Sequence, residues 1–202
     1  MRLVLILIGA YLFLISCSSS NYSNQSGGVI WQPVDSSLVD SVALISLGEA
    51  RGAIFPASYD SFISFEPRFT PSEGLIREIE PYILNQYSGA RRSFVERQVN
   101  DPMMYSPPLT SEEKSEHLDD HMRWIEKESK EIHHYDRQYL GYYNEKGDQI
   151  LLIQFLDFSK DPHGFKPHLH ETWVAGWHGW FETNVRNMYF NINEKRLTVN
   201  PP

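Results

Sequence analysis

Residues 138–156 read QYLGYYNEKGDQILLIQFL, and this stretch decides the fold class. Two runs of aromatic, β-branched and long apolar side chains, 138–144 and 149–156, flank Glu145-Lys146-Gly147-Asp148. Runs of that composition favour strands. Gly147, lacking a Cβ, can take the positive φ that a tight hairpin turn requires. The spacing therefore predicts an antiparallel hairpin. Downstream, Pro162, Gly164 and Pro167 break up a loop over 157–170. A strand over 172–175, a Gly176-Trp177-His178-Gly179 turn, a strand pair over 180–192 and a strand over 197–199 complete a C-terminal antiparallel sheet.

Upstream of the hairpin the pattern turns helical. Thr110-Ser111-Glu112-Glu113 is a capping box, and a helix is expected from it to about His133. Its apolar residues, Leu118, Met122, Ile125 and Ile132, form a narrow stripe on an otherwise charged surface, which suits a helix lying across a sheet. Thr70-Pro71-Ser72-Glu73 offers a second box, with Thr70 as N-cap and Pro71 at the first helical position. Leu75, Ile76, Ile79, Ile83, Leu84 and Tyr87 then follow one apolar face. Pro81 costs about 3 kcal/mol in a helix interior, so a kink or break is expected near Ile79. Residues 93–99 are ambiguous and 101–108 read as a loop. Short β-like stretches stand at 29–31, 41–47 and 61–65, with Gly48, Gly52 and Pro56 as punctuation between the last two. The fold class expected is α+β: an antiparallel C-terminal sheet packed by one or two helices, for which a cystatin-like curved sheet is one arrangement.

The chain has 202 residues, 41% hydrophobic and 22% charged, which is the composition of a globular protein with one well-filled domain, here 29–202. Its net charge of −8 argues against nucleic acid as a partner, since phosphate binding needs a basic surface. One cysteine excludes an internal disulfide and a multi-cysteine zinc site. That cysteine, Cys17, closes an N-terminal segment in which Arg2 precedes an apolar or small-residue run over 3–15. The run is shorter than the ~20 residues of a membrane span and fits the core of a signal peptide.

Leu14-Ile15-Ser16-Cys17 resembles the lipobox of bacterial lipoproteins. The resemblance implies that residues 1–16 are a signal peptide cleaved before Cys17, that Cys17 carries lipid, and that 17–28 are a flexible tether. Two or three acyl chains give stable anchoring at about 0.8 kcal/mol per buried CH₂. Losing Arg2 leaves the body more acidic still, so lipid and not a basic patch holds it at the membrane. Ser18 is not the aspartate of an inner-membrane retention signal, and no acidic run follows Cys17. What this implies is an outer-membrane anchor with the body facing the periplasm. A second resemblance covers the C-terminal half. Residues 137–147 (RQYLGYYNEKG), with 189–193 (YFNIN) and Val199-Asn200, are similar to small uncharacterised envelope proteins of Bacteroidetes-type bacteria. It implies a shared fold and no mechanism. Where those proteins often carry an Asp-Gly-Gly turn, this chain has Trp177-His178-Gly179.

Two groups of residues offer chemistry. His163, His168, His170 and His178 fall close together, with Glu171 beside them. Neutral imidazoles plus a carboxylate suit Zn²⁺, and alternation about Leu169 would put His168 and His170 on one strand face. His117 and His121 are also one helical turn apart, but the string between them lacks the glutamate a zinc protease helix uses as its base. Trp173, Trp177 and Trp180 form the second group. Rings on a glycine-rich tip can stack on a sugar or anchor a protein, while a bland alternative makes Trp173 and Trp180 core. There is no nucleophile elbow and no phosphate loop. The function favoured is a lipid-anchored, non-enzymatic periplasmic domain that binds a protein or a glycan. The alternative is a metal-dependent hydrolase centred on the four histidines, with Glu171 as base.

Overall fold

The computed structural model describes residues 41–60, 63–176 and 179–202. The expected signal peptide over 1–16, Cys17, the expected tether over 17–28 and the 29–31 stretch lie outside the described residues. The elements are β1 (Ala43–Leu47), β2 (Ala50–Phe55), β3 (Arg68–Phe69), α1 (Glu73–Asn100), α2 (Ser111–Glu131), β4 (Asp136–Tyr143), β5 (Gln149–Leu156), α3 (Trp180–Asn184), β6 (Val185–Asn191) and β7 (Arg196–Thr198). The strands form one sheet in the order β1-β2-β4-β5-β6-β7, with β3 also pairing β4. β2 runs parallel to β4, and the other pairings are antiparallel. The fold is α+β, as the patterning predicts.

The β4–β5 hairpin forms in the expected place, with Tyr143 opposite Gln149 and Asp136 opposite Leu156. Gly147 takes φ +82°, and the Asn144 side chain accepts from the backbone N–H groups of Lys146 and Asp148, which fixes the turn. Alternation then sorts the two faces. Tyr139, Leu151, Ile153, Phe155, Met188 and Phe190 join Ile76, Ile79, Ile83 and Tyr87 of α1 in one core cluster. Leu140, Tyr142, Ile150, Leu152 and Leu156 pack on the opposite face against Phe158, Phe165, Leu169, Trp173, Val174 and Trp180. Both faces are covered, which explains why β5 reads as an almost continuous apolar run.

Several local expectations are corrected. α1 begins two residues later than its apparent box: Ser72 is the N-cap, accepting from the Leu75 N–H at 3.1 Å. The Thr70 hydroxyl instead accepts from the Ala57 N–H at 2.9 Å. α1 also continues through Pro81 to Asn100, so the expected break is absent and 93–99 are its last turns. Pro81 lies on the exposed side, while Ile76, Ile79, Ile83 and Tyr87 are buried beneath it. Each such side chain contributes roughly 1.5–3 kcal/mol, enough together to offset the proline.

α2 starts with the predicted reciprocal capping box of Thr110 and Glu113. It lies along the C-terminal half of α1 and not across the sheet: Ile125 joins Val95 and Val99 in a separate small core, with Leu118 and Met122 against it. A stripe this narrow needs only another helix to cover it. β2 was not expected, because Gly52 reads as punctuation. A Cβ there would stand 2.8 Å from Ile45 Cγ1 and 3.1 Å from Tyr139, so glycine is what lets three strands meet. Residues 63–65 carry no strand, and 61–62 lie outside the described residues.

Candidate functional site

Residues 157–176, expected to end in a strand, instead form an irregular layer over one sheet face, which α3 extends. Gln138, in mid-strand on β4 and fully buried, holds this layer down. Its side-chain amide donates to the Leu169 and Thr172 carbonyls at 2.8 and 2.7 Å and accepts from the Val174 N–H at 2.8 Å. Asp161 shapes the preceding turn by accepting from the Phe165 and Lys166 N–H groups.

This geometry separates the predicted metal ligands. Lys166–His168 is a 3₁₀ turn, so His168 and His170 do not alternate along a strand. Residues on such a turn advance about 120° each, which directs side chains two apart to different sides. His168 Nδ1 lies 2.8 Å from the Glu171 carboxylate, pairing the proposed base with one proposed ligand. His163 packs against the Phe165, Trp180 and Phe181 rings. Among the described residues, no three His, Cys, Asp or Glu side chains are grouped to hold a metal ion. His163, His168 and His170 are thus not brought together as a zinc site, and His178 lies outside the described residues, as does Trp177.

Of the two readings of Trp173 and Trp180, surface contact or core, the structure shows core. Trp173 is 5% exposed, edge-on to Phe55, with its backbone N–H donating to the Tyr59 hydroxyl. Trp180 is 9% exposed, opens α3, and donates its indole N–H to the Lys160 carbonyl. Both are interior residues, not surface contacts.

Two buried charge clusters join the helices to the sheet. In the first, Arg137 of β4, 1% exposed, meets Glu80 of α1 at 2.8 Å, and the Tyr139 hydroxyl donates to the same carboxylate at 2.9 Å. Arg137 also donates to the Tyr135 and Ile132 carbonyls. Burial pushes the Glu80 carboxyl above its usual range, against the pull of Arg137 and the Tyr139 hydrogen bond. This cluster is enclosed by the core.

The second cluster reaches the surface. Glu128, in the last turn of α2 and 3% exposed, accepts from the Tyr87 hydroxyl and from Arg186 Nε, each at 2.7 Å. Arg186 spends its remaining nitrogens on the Glu182, Thr183 and Val185 carbonyls around the end of α3. Burial, and then the Glu128 charge, push the Tyr87 hydroxyl far up. Arg91 of α1 approaches the same carboxylate less closely: its Nε stands 3.7 Å from Glu128 and is buried without a hydrogen-bond partner. Both guanidinium groups lie over the Trp124 ring, at 4.7 Å for Arg186 and 5.1 Å for Arg91. The indole is nevertheless 40% exposed. His121 is one turn before it, and its basicity is lowered by burial, by His117 and by Arg91, with Asp120 opposing.

The result is an exposed aromatic ring on a buried ionic frame, with cations beside it on an acidic protein. Elsewhere the exposed surface of α2 carries Glu112, Glu116, Asp119 and Glu126. Sequence reasoning missed this place. The available signal was His121, Trp124 and Glu128 at helical spacing, a line beside the Leu118–Met122–Ile125 stripe and outside it. No family model, curated protein or solved structure matches the chain, so the resemblances read from its motifs rest on the motifs themselves.

Proposed function

We propose that this chain is a lipid-anchored envelope protein, held through Cys17 at the outer membrane, whose body in the periplasm is a non-enzymatic binding domain for a glycan or a protein. The observation that supports the binding role is Trp124. A large ring left 40% exposed, on an ion-pair frame that ties α1, α2, α3 and β6 together, is a rigid contact surface with little ordering entropy left to lose. Exposed indoles of this kind serve as anchors in glycan and protein recognition. Trp173 and Trp180, buried against one sheet face, are not part of that surface.

Titrating the detergent-solubilised full chain with soluble envelope glycan fragments tests the binding role. Trp124→Ala is expected to remove binding while the fold is kept, at a cost of about 1–2 kcal/mol from the two lost guanidinium contacts; binding that survives unchanged overturns the assignment of this surface. For the anchor, Cys17→Ala is expected to move the protein from the membrane fraction to the soluble one and to abolish lipid labelling. Unchanged retention and labelling refute it.

A further inference from the structure

We propose that the loop joining α1 to α2 is a second membrane contact, in which Met103 and Met104 enter the headgroup layer of the bilayer that holds the lipid on Cys17. The proposal rests on the anchor reading above and adds to it the orientation of the body.

The argument begins with the arm that carries the loop. As far as Ala90, α1 packs on the sheet through the core of Ile76, Ile79, Ile83 and Tyr87. Beyond it, the buried Val95 and Val99 cluster only with Ile125 and with partly buried residues of the two helices and their loop. Residues 91–100 rise about 15 Å along the helix axis, so the loop stands at the tip of a two-helix arm. That tip is apolar: residues 102–111 carry no charge. Met103 is 85% exposed and Met104 39%, and neither belongs to a core cluster of the described residues. The turn that presents them is fixed. The Asp101 carboxylate accepts from the Met103 N–H at 2.9 Å, the Asp101 carbonyl accepts from the Met104 N–H at 3.2 Å, and the Tyr105 ring lies 5.7 Å from His117.

Size and reach choose the occupant. A stable protein interface takes about 20–30 residues on each side, and a tip of two methionines is too small for one. Moving an exposed methionine out of water is favourable, and its pliable side chain suits a surface of no fixed shape, as a bilayer is. So weak a contact becomes populated when a tether keeps the surface at hand, and the lipid on Cys17 does that. Residues 18–40 separate Cys17 from the first described residue. They can reach at most about 80 Å, against about 42 Å for the whole of α1, so the tip lies within range of the same bilayer. Charge sets the depth. Glu112, Glu113 and Glu116 follow directly on α2, and carboxylates are costly to bury, so the contact is shallow.

On the anchor reading the Cys17 sulfur is joined to lipid, so a spin label on Met104→Cys reports from the tip alone, and one on Asp119→Cys, exposed on α2, gives the comparison. The lipidated chain is reconstituted in vesicles of phosphatidylcholine and phosphatidylethanolamine. Relaxation of each label by oxygen, which concentrates in lipid, is then compared with relaxation by a water-soluble nickel chelate present on both sides. The Met104 label is expected to gain oxygen access and lose nickel access relative to the Asp119 label. Adding Met103→Glu should lower the ratio of inserted to free tip about tenfold or more, the scale of burying one methionine side chain. Equal access at the two labels, or no response to Met103→Glu, overturns the contact and leaves the anchor standing. Loss of both oxygen and nickel access at Met104 marks a protein against the tip, a second copy included, and overturns the contact as well. Label taken up by the unsubstituted chain refutes the lipid on Cys17, and the proposal falls with the anchor.

Discussion

Glu80→Leu should be among the most damaging single substitutions in the core, although it replaces a charge with a hydrocarbon. Arg137 is 1% exposed and meets Glu80 at 2.8 Å, so losing the carboxylate leaves a guanidinium in the core facing the Tyr135 and Ile132 carbonyls and the Phe155 ring, with no counter-charge from Glu80. Removing one partner of a buried pair costs about 3–5 kcal/mol. For a chain of this size that lowers the melting temperature by about 6–20 °C. Arg137→Met should cost a similar amount by stranding the carboxylate. The double variant should recover most of this loss and retain a deficit of about 1–3 kcal/mol, because the Tyr139 hydroxyl still lacks its acceptor. Adding Tyr139→Phe should remove that deficit too. Urea denaturation of all four variants gives the coupling energy directly. Additive losses, or a Glu80→Leu cost below about 1 kcal/mol, would refute the idea that these groups stabilise one another more than they stabilise the fold.

The same carboxyl carries a pH signature. Its folded-state pKa is raised chiefly by burial, so its contribution to stability is full below the ordinary carboxylate pKa and is lost as pH rises through the raised value. Glu80→Gln should flatten that part of the stability–pH curve, and denaturant midpoints measured from pH 4 to 8 check it. Gln138→Leu takes three hydrogen bonds from the layer over 157–176, leaving two carbonyls and an N–H to find water. Amide exchange there should accelerate while β4 and β5 stay protected; uniform acceleration across the sheet would contradict a local role. Gly52→Ala drives a Cβ into Ile45 and Tyr139, and should cost about 1–3 kcal/mol in thermal unfolding.

What the sequence made legible was local. The β4–β5 hairpin, the Thr110 capping box and the apolar face of α1 each depend on residues within one turn or one hairpin. What it hid depends on contacts distant along the chain. Pro81 reads as a break until the sheet beneath Ile79 and Ile83 is known. Gly52 reads as a loop until Ile45 and Tyr139 crowd it. His168 and His170 look like one face of a strand until Gln138, some thirty residues earlier, is seen to hold that segment in turns. The Trp124 surface was hidden for the same reason: Arg91, Glu128 and Arg186 come from three separate elements and share no motif.

The parallel pairing of β2 with β4 has a consequence in time. Arg51 and Asp136, bonded through both backbone N–H and side chain at this junction, are 85 residues apart in the chain. A protein is made and delivered from its N-terminus, so the β1–β2 hairpin emerges early and waits for both long helices before its partner strand exists. Through that interval β2 offers one unpaired edge and the apolar side chains of Ala53, Ile54 and Phe55, the kind of surface that associates with other chains. The β4–β7 meander, whose neighbours follow one another along the chain, can close as soon as it is made. The hairpin is the first part of the sheet to be made and waits longest for its partner strand, and it is where a holdase chaperone would have most to protect.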